Sequence, residues 1–308
     1  MLLVAVLSAA ATNRICSYGI KQGLPDNTVN CIAQDNRGFI WTGTSNGLAQ
    51  FDGMFFTLFR YSNNETTSIS NNNVHSLLST NHGLYVATDY CIDYYDYKDS
   101  KFHRCQIKSR HKVGNSFISL VSTSKGVFVF DDKGGLYRSD ADKTQFVHLP
   151  TTAPVLGIAS SGDRLFVVMS RGVAMYTADG SKVLSSVDVN IASSSQINAS
   201  YSRNMHRLYV GRGVDGRAQA FAVTRNHLQA IDEDLPKALK AACDYDGGVA
   251  FATDGYGVVV RRNGLDYRLT ESKDHICGDA VYSLLADRGA ALGFLAKAYL
   301  YSGNYEKA

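Results

Sequence analysis

Residues Gly23 to Tyr61, GLPDNTVNCIAQDNRGFIWTGTSNGLAQFDGMFFTLFRY, spell four short β-favouring runs, each closed by its own turn chemistry. The runs cover Val29 to Gln34, Phe39 to Thr44, Leu48 to Phe51 and Phe55 to Phe59. Asp35-Asn36-Arg37-Gly38, Ser45-Asn46-Gly47 and Asp52-Gly53 separate them. Asx-Gly pairs between β-rich runs are hairpin signals, because glycine accepts positive φ and Asn or Asp tolerates it. A single sheet of about forty residues cannot bury both of its faces, so such a unit has to stack on copies of itself.

The copies are present in decayed form. Comparable runs of strand and turn begin at Val74, Phe117, Val155, Ile197 and Ala241, and His275 to Asp287 opens a seventh copy that is not completed. Aligning Gly47, Cys91, Gly135, Gly172 and Gly257 gives steps of roughly 40–45 residues, the period of a four-stranded propeller blade. The expected fold is therefore all-β, a β-propeller of four-stranded antiparallel blades. All-β folds of 308 residues commonly form one domain.

Composition agrees. Tyr and Phe are abundant at 18 and 14, Pro is scarce at 4, and helix-forming stretches are absent until the last twenty or so residues. The formal charge of +3 is spread along the chain rather than gathered into a nucleic-acid-binding run, so no nucleic-acid partner is expected.

Met1 to Ala11, MLLVAVLSAAA, reads as the apolar region of an export signal ending in small residues, followed by a polar switch at Thr12-Asn13-Arg14. Its length is below the ~20 residues of a spanning helix. The alternative is a buried first strand. The expectation is an exported, periplasmic chain. The six cysteines, Cys16, Cys31, Cys91, Cys105, Cys243 and Cys277, show no CxxC and no metal-finger spacing. Buried free thiols are the default, with Cys91 and Cys105 the one pair that could meet across a blade.

No catalytic constellation emerges. The eight histidines show no HExxH pair, and there is no GxSxG elbow or phosphate-cradling glycine loop. Asp89 to Asp99, DYCIDYYDYKD, reads as an outer-half strand with one wet face rather than as a cation or sugar site. No metal and no cofactor are expected.

The stretch GLPDNTVNCIAQDNRGFIWTGTSNGLAQFDG resembles the regulator-propeller repeat from the periplasmic sensor half of two-component histidine kinases, especially hybrid systems of Bacteroides-type gut bacteria. Gly23, Leu24, Asn27, Val29, Ile32, Asp35, Gly38, Ile40, Trp41, Gly43, Thr44, Gly47, Leu48, Phe51, Asp52 and Gly53 fall on that pattern. Later copies keep fragments such as Asn73-Val74 and Asn115. The resemblance covers roughly Ser17 to Arg288. It implies a seven-bladed design, of which about six blades and one strand are legible here, and an input domain that senses glycans or their breakdown products. Kinase activity in that family belongs to modules absent from this sequence, so no enzyme is expected. The membrane would enter only through missing parts.

The expected division is a signal peptide at 1–11, an incomplete propeller at 12–288 and a helical tail at 289–308, either tetratricopeptide-like or frameshifted. An incomplete ring implies self-association or a partner that completes it. A non-enzymatic interaction scaffold, or a degenerate remnant of such a sensor, is the alternative function. The turn before the first strand and the turn after the second strand of each copy should emerge on one face. That face would collect Asn27, Asn46, Asn73, Tyr90, Lys133, Arg171, Arg212 and Tyr256 as ligand-binding candidates for an oligosaccharide. Asn27 and Asn46 equally suit a role within their own turns.

Overall fold

The structure, a computed structural model, describes residues 2–6, 14–139, 144–191, 197–211, 217–245, 247–274, 281–286 and 294–299. Six blades of consecutive strands follow one another. Blade I comprises Val29–Gln34, Ile40–Thr44, Gly47–Phe51 and Phe56–Phe59. Blade II comprises Val74–Ser79, Gly83–Thr88, Ile92–Asp96 and Lys101–Arg104. Blade III comprises Phe117–Thr123, Gly126–Asp131, Leu136–Ser139 and Gln145–Leu149, and a further strand, Gln106–Lys108, joins its outer edge in parallel. The innermost strands of blades IV, V and VI are Val155–Ser160, Ala199–Ser202 and Leu239–Tyr245. Every pairing within a blade is antiparallel. The described helices are a 3-10 turn at Ile20–Gln22 and one α-turn at Glu271–Asp274.

A seventh sheet closes the ring from both chain ends. Val281–Ala286 lies innermost, followed by Phe294–Tyr299, Leu2–Val6 and Arg14–Tyr18. Two expectations change here. Phe294–Tyr299, read from sequence as part of a helical tail, is a strand. The open edge of Val281–Ala286 offers a row of unpaired backbone groups, and pairing with it outweighs local helix preference. Leu2–Val6, read as part of an export signal with a buried first strand as the alternative, runs as a strand between Arg14–Tyr18 and Phe294–Tyr299. The incomplete ring expected from the sequence is a seven-membered circle of inner strands here, each against the next.

Local chemistry explains the repeat. Thr44, Thr88 and Thr253 end the second strands of blades I, II and VI, fully buried. Their hydroxyls donate across the following turn to Gly47, Cys91 and Gly257 carbonyls at 2.7, 3.1 and 2.6 Å. In blade III Asp131 takes that place and accepts from the Lys133 and Gly135 amides at 3.0 and 2.8 Å. These turns tie the blades together: Gly47 N–H donates to Asn72 O, Tyr90 N–H to Asn115 O and Val155 N–H to Gly134 O.

Blades pack face to face, so the core consists of layers between them. Trp41, fully buried, stacks on Phe59 at 5.4 Å and meets Tyr95 of blade II at 5.2 Å. Its Nε1–H donates to Asp35, which also accepts from Phe39 N–H and the Arg37 guanidinium. A Cβ on Gly43 would lie 2.5 Å from both Cys31 Sγ and Val74 Cγ1, so the strand crosses its neighbour at a distance only glycine permits. The Ile92–Asp96 strand was read as having one wet face. Ile92, Asp93, Tyr94 and Tyr95 are all buried, because blades I and III cover its two sides. Cys31, Cys91, Cys105 and Cys243 are free thiols.

Candidate functional site

The innermost strands share an irregularity that positions the most polar part of the surface. In blades I, II, III, IV and VI the register shifts between the first and third residue, leaving the second outside the ladder. Such a bulge re-aims its side chain. The bulged residues are Asn30, His75, Ile118, Leu156 and Lys240. Ile118 and Leu156 pack into inter-blade clusters. The other three turn to the face that carries the turns after the second strands.

There the bulges meet those turns. His75 Nε2 lies 2.7 Å from Asp89 Oδ1, and Lys240 Nζ 3.3 Å from Asp254. Asp89 and Asp254 are equivalent residues of blades II and VI, each following a capping threonine. Asp89 also accepts from Asn73 Nδ2 at 3.1 Å and from the Ser116 hydroxyl at 2.7 Å. Asn30 Nδ2 donates to Val74 O at 2.9 Å and reaches Asn73 Oδ1 at 3.5 Å. Asn30, Asn73, His75, Asp89 and Ser116 thus form one polar constellation spanning three blades. Partial burial works against the charge on Asp89, but hydrogen bonds from His75, Ser116 and Asn73 outweigh it and hold the carboxyl below its usual range. It is an anion at neutral pH.

Tyr90 stands beside this constellation. Its φ of 71° is left-handed and its side chain is 68 % exposed. A non-glycine residue in that region is strained, and strain held in place by its surroundings clusters at functional sites. The amide bonded to Asn115 O is what holds it.

The eight residues singled out in the sequence divide accordingly. Asn73 and Tyr90 lie in or beside the constellation. Asn27 accepts from Ile20 N–H and organises its own loop, and Asn46 sits in a turn whose amide bonds to Thr44 Oγ1. Lys133 donates to Val113 O across the turn of blade III. Arg171 lines a separate recess of about 340 Å³ with Met169, Tyr176 and Val187. Tyr256 is 41 % exposed in the turn after the second strand of blade VI, and Arg212 lies outside the described residues. The sequence reading missed Asn30, His75 and Ser116, and it placed Asp89 on a strand. Their signal is positional: residues two places into each inner strand and one past each capping threonine face each other only once the bulge is formed. Among the described residues no group of three or more His, Cys, Asp and Glu is placed to hold a metal ion. No described helix is long and apolar enough to cross a membrane.

Comparison with known proteins places this geometry. Residues 23–46 match the family model described as two component regulator propeller, the segment on which the sequence resemblance rests. No curated protein matches the chain. The extracellular domain of the hybrid two component system BT3049 from B. thetaiotaomicron superposes with a TM-score of 0.68 at 18% identity, covering 92% of this chain and 41% of that one. The extracellular domain of the hybrid system BT4673 from the same organism gives 0.65 at 16%, covering 90% and 38%. The chain thus spans about two-fifths of these relatives. Virginiamycin B lyase from Staphylococcus aureus shares the fold at 0.65 and 11%, covering 97% and 99%.

Proposed function

We propose that this chain is an exported input domain of a two-component signalling protein, and that it recognises an oligosaccharide at the face where Asn73, His75, Asp89 and Ser116 converge. The observation that carries the reading is this constellation, built by bulges on a propeller whose residues 23–46 match the regulator-propeller model. Amide, imidazole, carboxylate and hydroxyl groups gathered on one partly exposed face suit a polyhydroxylated ligand, whose hydroxyls both donate and accept. Tyr90 adds an exposed ring on which a sugar face can stack.

Binding rather than turnover fits the same geometry. Asp89 carries hydrogen bonds on both oxygens and His75 Nε2 is tied to it, so neither is an unengaged general base. Self-association remains part of the proposal. Met54 and Phe55, 77 % and 69 % exposed at the turn between the outer strands of blade I, supply an apolar contact on the opposite face.

A thermal-shift screen against neutral plant and host oligosaccharides tests the reading. A ligand at about 100 times its Kd contributes about 2.7 kcal/mol, a readable rise in melting temperature. The Asn73→Ala and Tyr90→Asn variants should melt close to the parent and lose at least tenfold in affinity. Asparagine tolerates left-handed φ, so the second change relieves strain while removing the ring. A panel that shifts nothing, or a shift untouched by both variants, overturns the assignment; specific co-purification of a protein on the Met54–Phe55 surface would favour the scaffold reading.

A further inference from the structure

The strand Gln106–Lys108 has no counterpart in the other five consecutive blades among the described residues. It pairs in parallel with Gln145–Leu149, setting Gln106 opposite Gln145 and Lys108 opposite Val147. Its consequence is to lay the segment Lys108-Ser109-Arg110-His111-Lys112 over the rim of blade III, where the four cationic or ionisable residues are exposed. The strand and rim enclose an open groove of about 500 Å³ lined by Lys108, Ser109, Arg110, His111 and His148.

Among the described residues no acidic side chain pairs with Lys108, Arg110 or Lys112, whereas Lys240, Arg207 and Arg261 elsewhere each have one. The carboxylate behind the groove, Asp131, is consumed by the amides of Gly114, Lys133 and Gly135 and by the Tyr137 hydroxyl. His111 and His148 stand with ring centroids 5.1 Å apart, and His148 rests edge-on against Tyr137 at 5.5 Å. Lys108, Arg110, His111 and His148 around one recess, none of them ion-paired to a carboxylate among the described residues, form a surface that attracts an oxyanion. No exposed aromatic ring lines it, which leaves no platform for stacked bases.

We propose that the groove between Lys108–Lys112 and His148 binds an oxyanion group, sulfate, phosphate or carboxylate, free or carried on a flexible polymer. This site is on the outer edge of blade III and does not depend on the sugar reading above. Lys108 and Arg110 supply permanent charge, and His148 supplies charge that depends on pH. Burial and the neighbouring His111 hold His148 below the ordinary imidazole range, against a smaller opposing pull from Asp131. An anion beside the His148 ring favours its protonated form, so affinity rises as pH falls.

Isothermal titration of the full chain with dextran sulfate, inorganic sulfate and inorganic phosphate tests this at pH 5.5 and 8.0 and constant ionic strength, with uncharged dextran as control. The expected result is binding of dextran sulfate and not dextran, several-fold tighter at pH 5.5. Lys108→Glu together with Arg110→Glu should weaken it at least tenfold. His111→Gln with His148→Gln should flatten the pH dependence while leaving binding at pH 8.0. Competition by inorganic sulfate identifies a single bound group; its failure to compete identifies a polymer tract. The Asn73→Ala variant should bind dextran sulfate like the parent, which separates this site from the face that carries Asn73 and Asp89. Absence of binding, or equal binding by the Lys108→Glu, Arg110→Glu variant, overturns the proposal. Because Lys108 and Arg110 are exposed, that variant should fold even if loss of His148 disturbs Tyr137.

Discussion

Single buried polar residues divide into those whose partners suffice and those whose partners do not. Asp35 is 4 % exposed and receives four donor groups, the Arg37 and Phe39 amides, the Trp41 indole and the Arg37 guanidinium. Asp93 is fully buried with Ser70 alone, accepting from its amide at 2.8 Å and its hydroxyl at 2.6 Å, while Oδ1 has no partner. Burial therefore pushes the Asp93 carboxyl above its usual range despite Ser70. A raised folded-state pKa means that the folded protein holds the proton more tightly than the unfolded chain. Stability is then fullest below the unfolded carboxylate range, about pH 4, and falls as pH rises toward the folded value. Asp93→Asn removes that loss, so the melting-temperature gain of the variant over the parent should grow from pH 3 toward pH 7. A gain independent of pH would show that Asp93 is not the titrating group.

At the scale of the strand, the repeat owes its small residues to close crossing and its threonines to turn capping. Gly43 sits on the second strand of blade I where the inner strand of blade II passes over it, and Val74 contributes two of the nearest atoms. Gly43→Ala forces a methyl into that contact and should cost about 1–3 kcal/mol, read as a lower denaturant midpoint with unchanged slope. In a Val74→Ala background the same change should cost less, because the shared space is then available. Additive costs would mean that the crossing distance is not what selects glycine. Blade I was legible in the sequence almost to the residue because its Asx-Gly turns, its Trp41 and its Thr44 cap are all intact. Blade V was harder to bound, and its inner strand begins at Ala199 rather than Ile197, because it carries none of these devices.

For the whole molecule, the decisive element is the sheet made from both chain ends. Leu2–Val6 lies between Arg14–Tyr18 and Phe294–Tyr299, so an export signal cleaved after Ala11 and this closed ring are mutually exclusive forms of the protein. Deleting residues 1–11 from the expressed chain should lower the melting temperature and introduce concentration-dependent association, because two strand edges lose their partner. A variant that melts like the parent and stays monomeric would place the leader outside the fold, and terminal sequencing of exported protein would then find Ala11 or Thr12 first.

What the sequence determined alone was the class of unit and how it repeats. Turn chemistry, short β-favouring runs and the period of the small residues are local, so they survive without knowledge of the neighbours. What only the tertiary structure decided was which residues meet. Asn30, His75, Asp89 and Ser116 lie on three blades, far apart in the chain, and converge because bulges turn two of them off the ladder while the ring brings the third blade alongside. The fate of the ends was equally non-local. Phe294–Tyr299 satisfies a helical pattern by itself and becomes a strand because a vacant edge stands beside it, and backbone pairing in that place outweighs the preference of the segment in isolation.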